Sequence, residues 1–460
     1  MASLDLPEQG LNMLPDELVI MILDCLPEYD VPTMFALNNT SRRLHNLTID
    51  RLYATFPGYN FEKFLGTVAP PAPWGCPSLA LHVKEVNWQS ACGIASHLDL
   101  EVIRAISDHL KEFKIRFSSL RKTEERFTAK RPSERTMAWY LEVFLLFVPN
   151  VERLVVMDAW HWDDHIYWFD AVLDNATHFS HLHSVTIHGP LRIQNIVPLL
   201  TLPTLRTLDL TKAEDMRQEQ GKPFMWDSSP TQASRRRLGD GSSALEHLTV
   251  RNSCIDAEDF IPLFEAFRGL KSFTYEHIGT SREHDSWIDY ECLVVCLEHQ
   301  RTSLEHLSIL GDHHLIDEDI DELGVVLPEM TCLESLELNP PRILYAADTP
   351  AVAANVAAKI SRSLKILTFN FKHVQASWFH EDFRHEFSRF LEALAFEIGL
   401  GPRLPNLHQI AVVNWPCHFG MDTGKRPPGF ARLQKCFADV GLELQGARQE
   451  PTTQNEHEEE

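Results

Sequence analysis

Residues 304–309, Leu-Glu-His-Leu-Ser-Ile, and residues 333–338, Leu-Glu-Ser-Leu-Glu-Leu, carry one small pattern: an apolar residue, a second three positions on, and a third two further. Residues two apart share a face of a β-strand, so the second and third apolar positions point one way and Ser308 or Glu337 between them points the other. The first apolar position anchors the turn that leads in. The pattern recurs as Val83/Val86/Trp88, Val151/Leu154/Val156, Leu182/Val185/Ile187, Leu205/Leu208/Leu210, Leu245/Leu248/Val250, Leu270/Phe273/Tyr275, Leu364/Leu367/Phe369 and Leu407/Ile410/Val412, ten occurrences in all. Between them lie stretches of helical periodicity, such as 257–267 with Phe260, Ile261, Phe264 and Phe267, or 287–298 with Ile288, Cys292, Val295 and Cys296. Parallel strands need crossovers of a dozen or more residues, and units of this kind bury a core only against their neighbours. The sequence therefore predicts an α/β fold with a parallel sheet.

These triplets resemble a leucine-rich-repeat array. Two departures mark it as irregular. Most intervals run from 23 to 43 residues with a first gap of 68, and the Asn that commonly follows the third apolar position is replaced, for example by Ser253 and Ala213. The first gap leaves room for a poorly matched repeat around Phe113 to Phe127. The repeat domain is expected over 80–445, with an inserted polar loop at 211–243 that includes Arg235-Arg236-Arg237, and a disordered acidic tail at 446–460.

Ahead of the repeats, residues 14–26, Leu-Pro-Asp-Glu-Leu-Val-Ile-Met-Ile-Leu-Asp-Cys-Leu, spell a short helix that is apolar almost all round. Pro15 suits a helix start, Asp16 and Glu17 suit the positive end of its dipole, and Pro27 supplies a stop. One stripe, Leu18, Met21, Ile22, Cys25 and Leu26, has the spacing of a face packed on its own domain, while Val19 and Leu23 extend the apolar surface to a second side. Leu14-Pro15-x-Glu17-Leu18, Ile22-Leu23, Leu26, Asp30-Val31 and Ser41-Arg42-Arg43-Leu44 together resemble an F-box, over roughly 12–53; Leu44 stands where a Trp or Phe is often found, and Pro32 follows Asp30-Val31. The resemblance implies a three-helix module (12–56, after an N-terminal tail at 1–11) that packs on the Skp adaptor and, through it, on a cullin. It places Leu14, Pro15, Leu18, Val19, Ile22, Leu23, Leu26 and Val31 at the adaptor contact, with the module's own core as the alternative for Leu18, Ile22 and Leu26. The fold expected for the whole chain is thus an N-terminal three-helix F-box followed by an irregular leucine-rich-repeat-like α/β solenoid. A Pro-rich connector at 57–79, with Pro70, Pro71, Pro73 and Pro77, separates the two.

Composition narrows the partners. A formal net charge of −23 opposes binding to a phosphate backbone, no apolar run approaches a membrane span, and nine scattered cysteines fit reduced thiols. Neither nucleic acid nor membrane is expected as a partner, and the expected location is cytoplasmic or nuclear.

Candidate catalytic or metal-ligating groups are few. His161 and His165 would share a helix face, but no third ligand converges with them, and His178, His181 and His183 match no zinc spacing. Cys292 and Cys296 read as core. Gly420 to Lys425 departs from a phosphate loop in glycine spacing and runs into Pro427-Pro428. No catalytic residue, metal or cofactor is expected. By resemblance the chain is a non-catalytic receptor subunit of a ubiquitin ligase that binds an unidentified target protein. The alternatives are an F-box scaffold without a ligase role and an enzyme centred on His161 to His165. Target contacts are expected on the concave strand face, at Arg153, Asp209, His247, Thr249, His306 and Glu337.

Overall fold

The computed structural model of the chain describes residues 14–27, 30–58, 61–68, 76–89, 141, 144–157, 179–214, 238–255, 257–278, 290–311, 322–340, 349–372, 381–400, 404–414 and 430–446. The chain falls into two compact units, Met1–His188 with Leu202–Leu205, and Gly189–Thr201 with Arg206–Glu460.

The first unit opens with three helices, α1 (Asp16–Asp24), α2 (Val31–Asn38) and α3 (Arg42–Leu52), followed by strand β1 (Thr55–Phe56) and helix α4 (Phe61–Val68). A 3-10 turn at Pro77–His82 leads into β2 (Glu85–Gln89), then β3 (Arg153–Met157) and β4 (Ser184–Arg192). The expected connector at 57–79 thus contains a helix of its own. Strands β1 to β4 pair in chain order and in parallel, Phe56 opposite Val86, Val86 opposite Leu154 and Leu154 opposite Val185.

The second unit holds α5 (Val197–Leu200), β5 (Thr207–Glu214), β6 (His247–Ser253), α6 (Ile261–Ala266), β7 (Ser272–His277), α7 (Tyr290–Glu298), β8 (His306–Gly311) and β9 (Ser335–Leu338). It continues through α8 (Thr349–Lys359), β10 (Ile366–Asn370), α9 (Glu381–Gly399), β11 (Gln409–Val413), α10 (Phe430–Asp439) and β12 (Glu443–Gly446). Its strands are again parallel and in chain order from β5 to β12.

The ten apolar triplets are strands β2 to β11, and all three members of each are buried. In the second unit their inward side chains meet the crossover helices: Phe273 packs edge-on against Phe260 and Phe264 at 5.7 and 4.9 Å, and Phe369 against Phe387 and Phe390 at 5.8 and 5.6 Å. One repeat's three buried side chains contribute roughly 5–9 kcal/mol. Fixing the six residues of strand and lead-in costs about 6–12 kcal/mol of backbone entropy, so a repeat holds only when stacked on another.

The stacking is enforced at the lead-in. Two successive N–H groups donate to one carbonyl of the preceding repeat: Lys84 and Glu85 to Ala54, Glu152 and Arg153 to Lys84, Glu246 and His247 to Arg206, Lys271 and Ser272 to Glu246, and so on to His408 and Gln409 on Lys365, at 2.7–3.2 Å. Polar side chains just before the first apolar residue close the same turns. Thr204 Oγ1 donates to the Leu182 carbonyl at 2.9 Å, Ser363 Oγ to that of Leu333 at 2.8 Å and Asn406 Nδ2 to that of Arg362 at 3.1 Å. At one position where an asparagine was missed, Ser253 Oγ accepts from the Ala213 N–H at 2.9 Å and donates to the Arg251 carbonyl at 2.7 Å, tying the ends of β5 and β6 together.

Three expectations need correction. Strands β1 and β12 do not stand out in the sequence, because a glycine occupies the third apolar position: Gly58 two residues past Phe56, and Gly446 two past Leu444. A Cβ on Gly58 would lie 2.0 Å from the Asn87 carbonyl oxygen, and one on Gly446 would lie 2.9 Å from the Phe430 ring. Helix α7 buries Tyr290, Leu293, Cys296 and Leu297; Cys296 is core, Cys292 only half-buried and Val295 exposed, so its inner face is rotated from the expected one, and Ile288 lies outside the described residues. The expected insertion at 211–243 starts later, since β5 runs on to Glu214 and Ser243 is buried again. Residues 113–127, 235–237 and the tail from 447 lie outside the described residues.

Candidate protein-binding surfaces

In the first unit, each helix of the N-terminal trio is set by local chemistry. Pro15 precedes α1, Asp16 and Glu17 occupy its first turn, and no side chain caps it. Asp30 caps α2 by accepting from the Thr33 N–H at 3.2 Å, with Pro32 tolerated in the first turn, and Ser41 caps α3 by accepting from the Leu44 N–H at 3.2 Å. Val19, Leu23 and Leu44 form the core, with Leu14, Leu26, Met34, Leu37 and Leu47 packed around them. Leu44, the α3 member of this core, is 2% exposed.

Two ion pairs join α1 to α3. Arg43 Nε donates to Asp16 Oδ1 at 2.7 Å and its Nη2 to the Leu14 carbonyl, while Arg51 Nε donates to Asp24 Oδ1 at 3.1 Å. Asp16 and Asp24 lie at the two ends of α1 and both pair with α3, while Val19 and Leu23 pack with Leu44 of the same helix and so form the inward side. This reverses the sequence assignment. Val19 and Leu23 are the core face, and the stripe at Leu18, Met21, Ile22 and Cys25 is exposed; Leu26 alone of that stripe packs on the core.

On α2, Val31 and Phe35 are exposed as well, with Met21 61% and Phe35 56% accessible. Of the eight residues assigned to an adaptor contact, Pro15, Leu18, Ile22 and Val31 lie on the surface, Leu14 and Leu26 are half-buried, and Val19 and Leu23 are inside. Met21 on α1 and Phe35 on α2 are exposed too. Phe35 carried no signal in the short apolar run 31–37, where nothing distinguishes inside from outside.

The second surface is the strand face turned away from the crossover helices. In the first unit Arg153 lies exposed there and pairs with Glu85 at 3.4 Å. In the second unit Asp209 stands opposite Thr249 on β6 and pairs with Arg251 at 3.4 Å, while His247 and Thr249 are half-buried and His306 is exposed. Glu337 on β9 lies three strands from β6, about 14 Å at the usual strand spacing. The named residues share a face without converging on one point.

Along the lead-in edge runs a ladder of charges. Lys84 pairs with Glu152 at 2.8 Å in the first unit; in the second, Glu246 pairs with Lys271 at 2.6 Å and Arg206 at 3.3 Å, and Glu334 with Lys365 at 2.6 Å. The hydrogen bond from each lysine holds the carboxyls of Glu152, Glu246 and Glu334 below the usual carboxylate range, and the one to Glu246 raises Lys271. On α9, Glu386 is held low first by the Thr349 hydroxyl at 2.9 Å and then by Arg389.

Glu337, one of the expected target contacts, belongs to a polar group at the far ends of β7 to β11 that also holds Glu276, Ser308, Asn339, Asn370, Lys372 and Asn414. Its members follow or sit within the triplets at irregular offsets, and only the strand register brings them together.

Among the described residues no group of three metal-capable side chains converges, and no helix is long and apolar enough to cross a membrane. His181 and His183 are exposed beside β4; His161, His165, His178 and the Gly420 to Lys425 segment lie outside the described residues. No protein-family model matches the chain, and no curated protein is similar to it.

Proposed function

We propose that the chain is the substrate-recognition subunit of an SCF-type E3 ubiquitin ligase, its N-terminal helices acting as an F-box on the Skp adaptor and its leucine-rich-repeat-like strands holding the target. The observation that carries this reading is the exposure of Leu18, Met21 and Ile22 on α1 and of Val31 and Phe35 on α2, on consecutive helices of a module whose core is already filled by other side chains. Five large apolar side chains left in water on so short a module support a contact surface. Each is about half covered already, so burying all five yields roughly 4–8 kcal/mol gross. Association costs of about 4–15 kcal/mol set a demand for further contacts beyond these side chains, from Pro15 and the exposed acidic start of α1.

Function then follows from tethering. One end of the chain is held by the ligase core and the strand face holds the target, which raises the effective concentration of target lysines near the transferred ubiquitin. The chain itself supplies surfaces and no nucleophile.

Co-purification tests this. Intact chain is expected to recover Skp adaptor and cullin, and Met21→Asp together with Phe35→Asp to lose at least about tenfold of the adaptor while melting normally. Leu23→Asp is unsuitable for this purpose, because it buries a charge in the module core. No adaptor with the intact chain overturns the reading. Adaptor without cullin replaces it with an assembly scaffold that has no ligase role.

A further inference from the structure

The polar group at the ends of β7 to β11 is built around carboxylates on the face turned away from the helices. Glu276 is 3% exposed and receives Lys372 Nζ on Oε1 at 2.8 Å, although the two are 96 residues apart in the chain. Lys372 is folded back to reach it: its N–H donates to Asn370 Oδ1 at 2.9 Å. Asn370 Oδ1 is saturated, since Asn414 Nδ2 also donates to it at 2.9 Å, and Asn370 Nδ2 donates to Glu337 Oε1 at 2.7 Å. Glu337 takes a second neutral donor, Ser308 Oγ, on Oε2 at 2.7 Å. Glu276 has its lysine; Glu337 has only a hydroxyl and an amide.

Asn339 supplies the independent observation. Ile309 pairs with Leu338 and Leu338 with Phe369, so the next residues, Leu310, Asn339 and Asn370, stand side by side on the face that also carries Glu337. Asn339 is 9% exposed, its Nδ2 donates to the Gly311 carbonyl at 3.1 Å, and its Oδ1 is buried without a hydrogen-bond partner. The amide cannot be turned over to relieve this, because the Gly311 carbonyl would then face an oxygen. A buried acceptor left unmet is costly. It lies two residues along the strand from a carboxylate that has no cation, roughly 7 Å by strand rise.

We infer that this site takes a guanidinium, the side chain of an arginine in the target protein, between Glu337 and Asn339. Both groups call for a donor, and the carboxylate calls for positive charge. A guanidinium presents five donors in a plane and reaches several separated acceptors at once, whereas the compact ammonium has its place already, in Lys372 on Glu276. The inference deepens the receptor reading by naming the chemistry of the target, and it is tested on the chain alone, so its failure and a failure of adaptor docking are told apart.

The probes are Nα-acetyl-arginine amide, the citrulline analogue that keeps the shape without the charge, and the lysine analogue, each followed by saturation-transfer NMR at millimolar concentration with the intact chain. The arginine probe is expected to bind at least about tenfold more tightly than citrulline or lysine, and to lose that advantage in Glu337→Gln and in Asn339→Leu. Glu443→Gln, which removes a carboxylate on β12, is expected to leave binding unchanged. Far-UV circular dichroism monitors folding; should Asn339→Leu fail to fold, the near-isosteric Glu337→Gln decides. Equal binding of arginine and citrulline, or full retention in Glu337→Gln, overturns the site, and equal binding of lysine overturns the guanidinium assignment.

Discussion

Asp16 and Asp24 mark the two ends of α1, whose inward side is fixed by packing on Leu44, and the consequence is measurable side chain by side chain. Leu23 lies in the core between them, so Leu23→Ala is expected to cost about 2–5 kcal/mol in urea unfolding. Met21→Ala, two residues away on the exposed stripe, is expected to stay within about 0.5 kcal/mol. Equal costs would mean that the stripe is covered within the chain. Gly58 is the other residue whose role is purely geometric. Its φ of +89° and its approach to the Asn87 carbonyl exclude a Cβ, so Gly58→Ala is expected to destabilise the β1–β2 pairing by at least about 1–3 kcal/mol, read as a lower melting temperature. An unchanged melt would show that β1 is dispensable.

The strands and their lead-ins behave as one kind of element repeated, and the lysine–glutamate ladder gives that element a pH dependence. Glu152, Glu246 and Glu334 have carboxyls lowered by lysine hydrogen bonds in the folded chain. A depressed folded value stabilises above the unfolded carboxyl value of about 4.3 and loses that stabilisation as pH falls through the lower folded value. Melting temperature is therefore expected to drop as pH falls below about 4.3. Replacing Lys84, Lys271 and Lys365 by methionine is expected to flatten that acid limb by lowering the neutral melt toward the acid one, by a small amount because exposed pairs are weak. An acid limb unaltered by the triple change would place its origin elsewhere.

At the scale of the whole molecule, each unit is a stack in which a strand is stabilised by the neighbours it pairs with. Within the second unit, β8 to β10 have partners on both sides and core helices over them, whereas among the described residues β12 pairs with β11 alone. Amide exchange at Leu336 and Leu367 is expected to be at least about tenfold slower than at Leu444; uniform exchange along the unit would indicate a single cooperative block. By itself the sequence determined the ten strands, their parallel order and the existence of an almost wholly apolar N-terminal helix, because period-two and period-3.6 apolar spacing is a local property of the chain. Tertiary structure decided what local spacing leaves degenerate. Packing of Val19 and Leu23 on Leu44 of α3 fixed the inward stripe of α1, with Arg43 and Arg51 pairing to it from 27 residues away, close backbone approach at Gly58 and Gly446 made strands of segments with no third apolar residue, and strand register gathered Glu276, Glu337, Asn339 and Lys372 into one site. Each of these depends on contacts between residues far apart in the chain, whose energies no local pattern encodes.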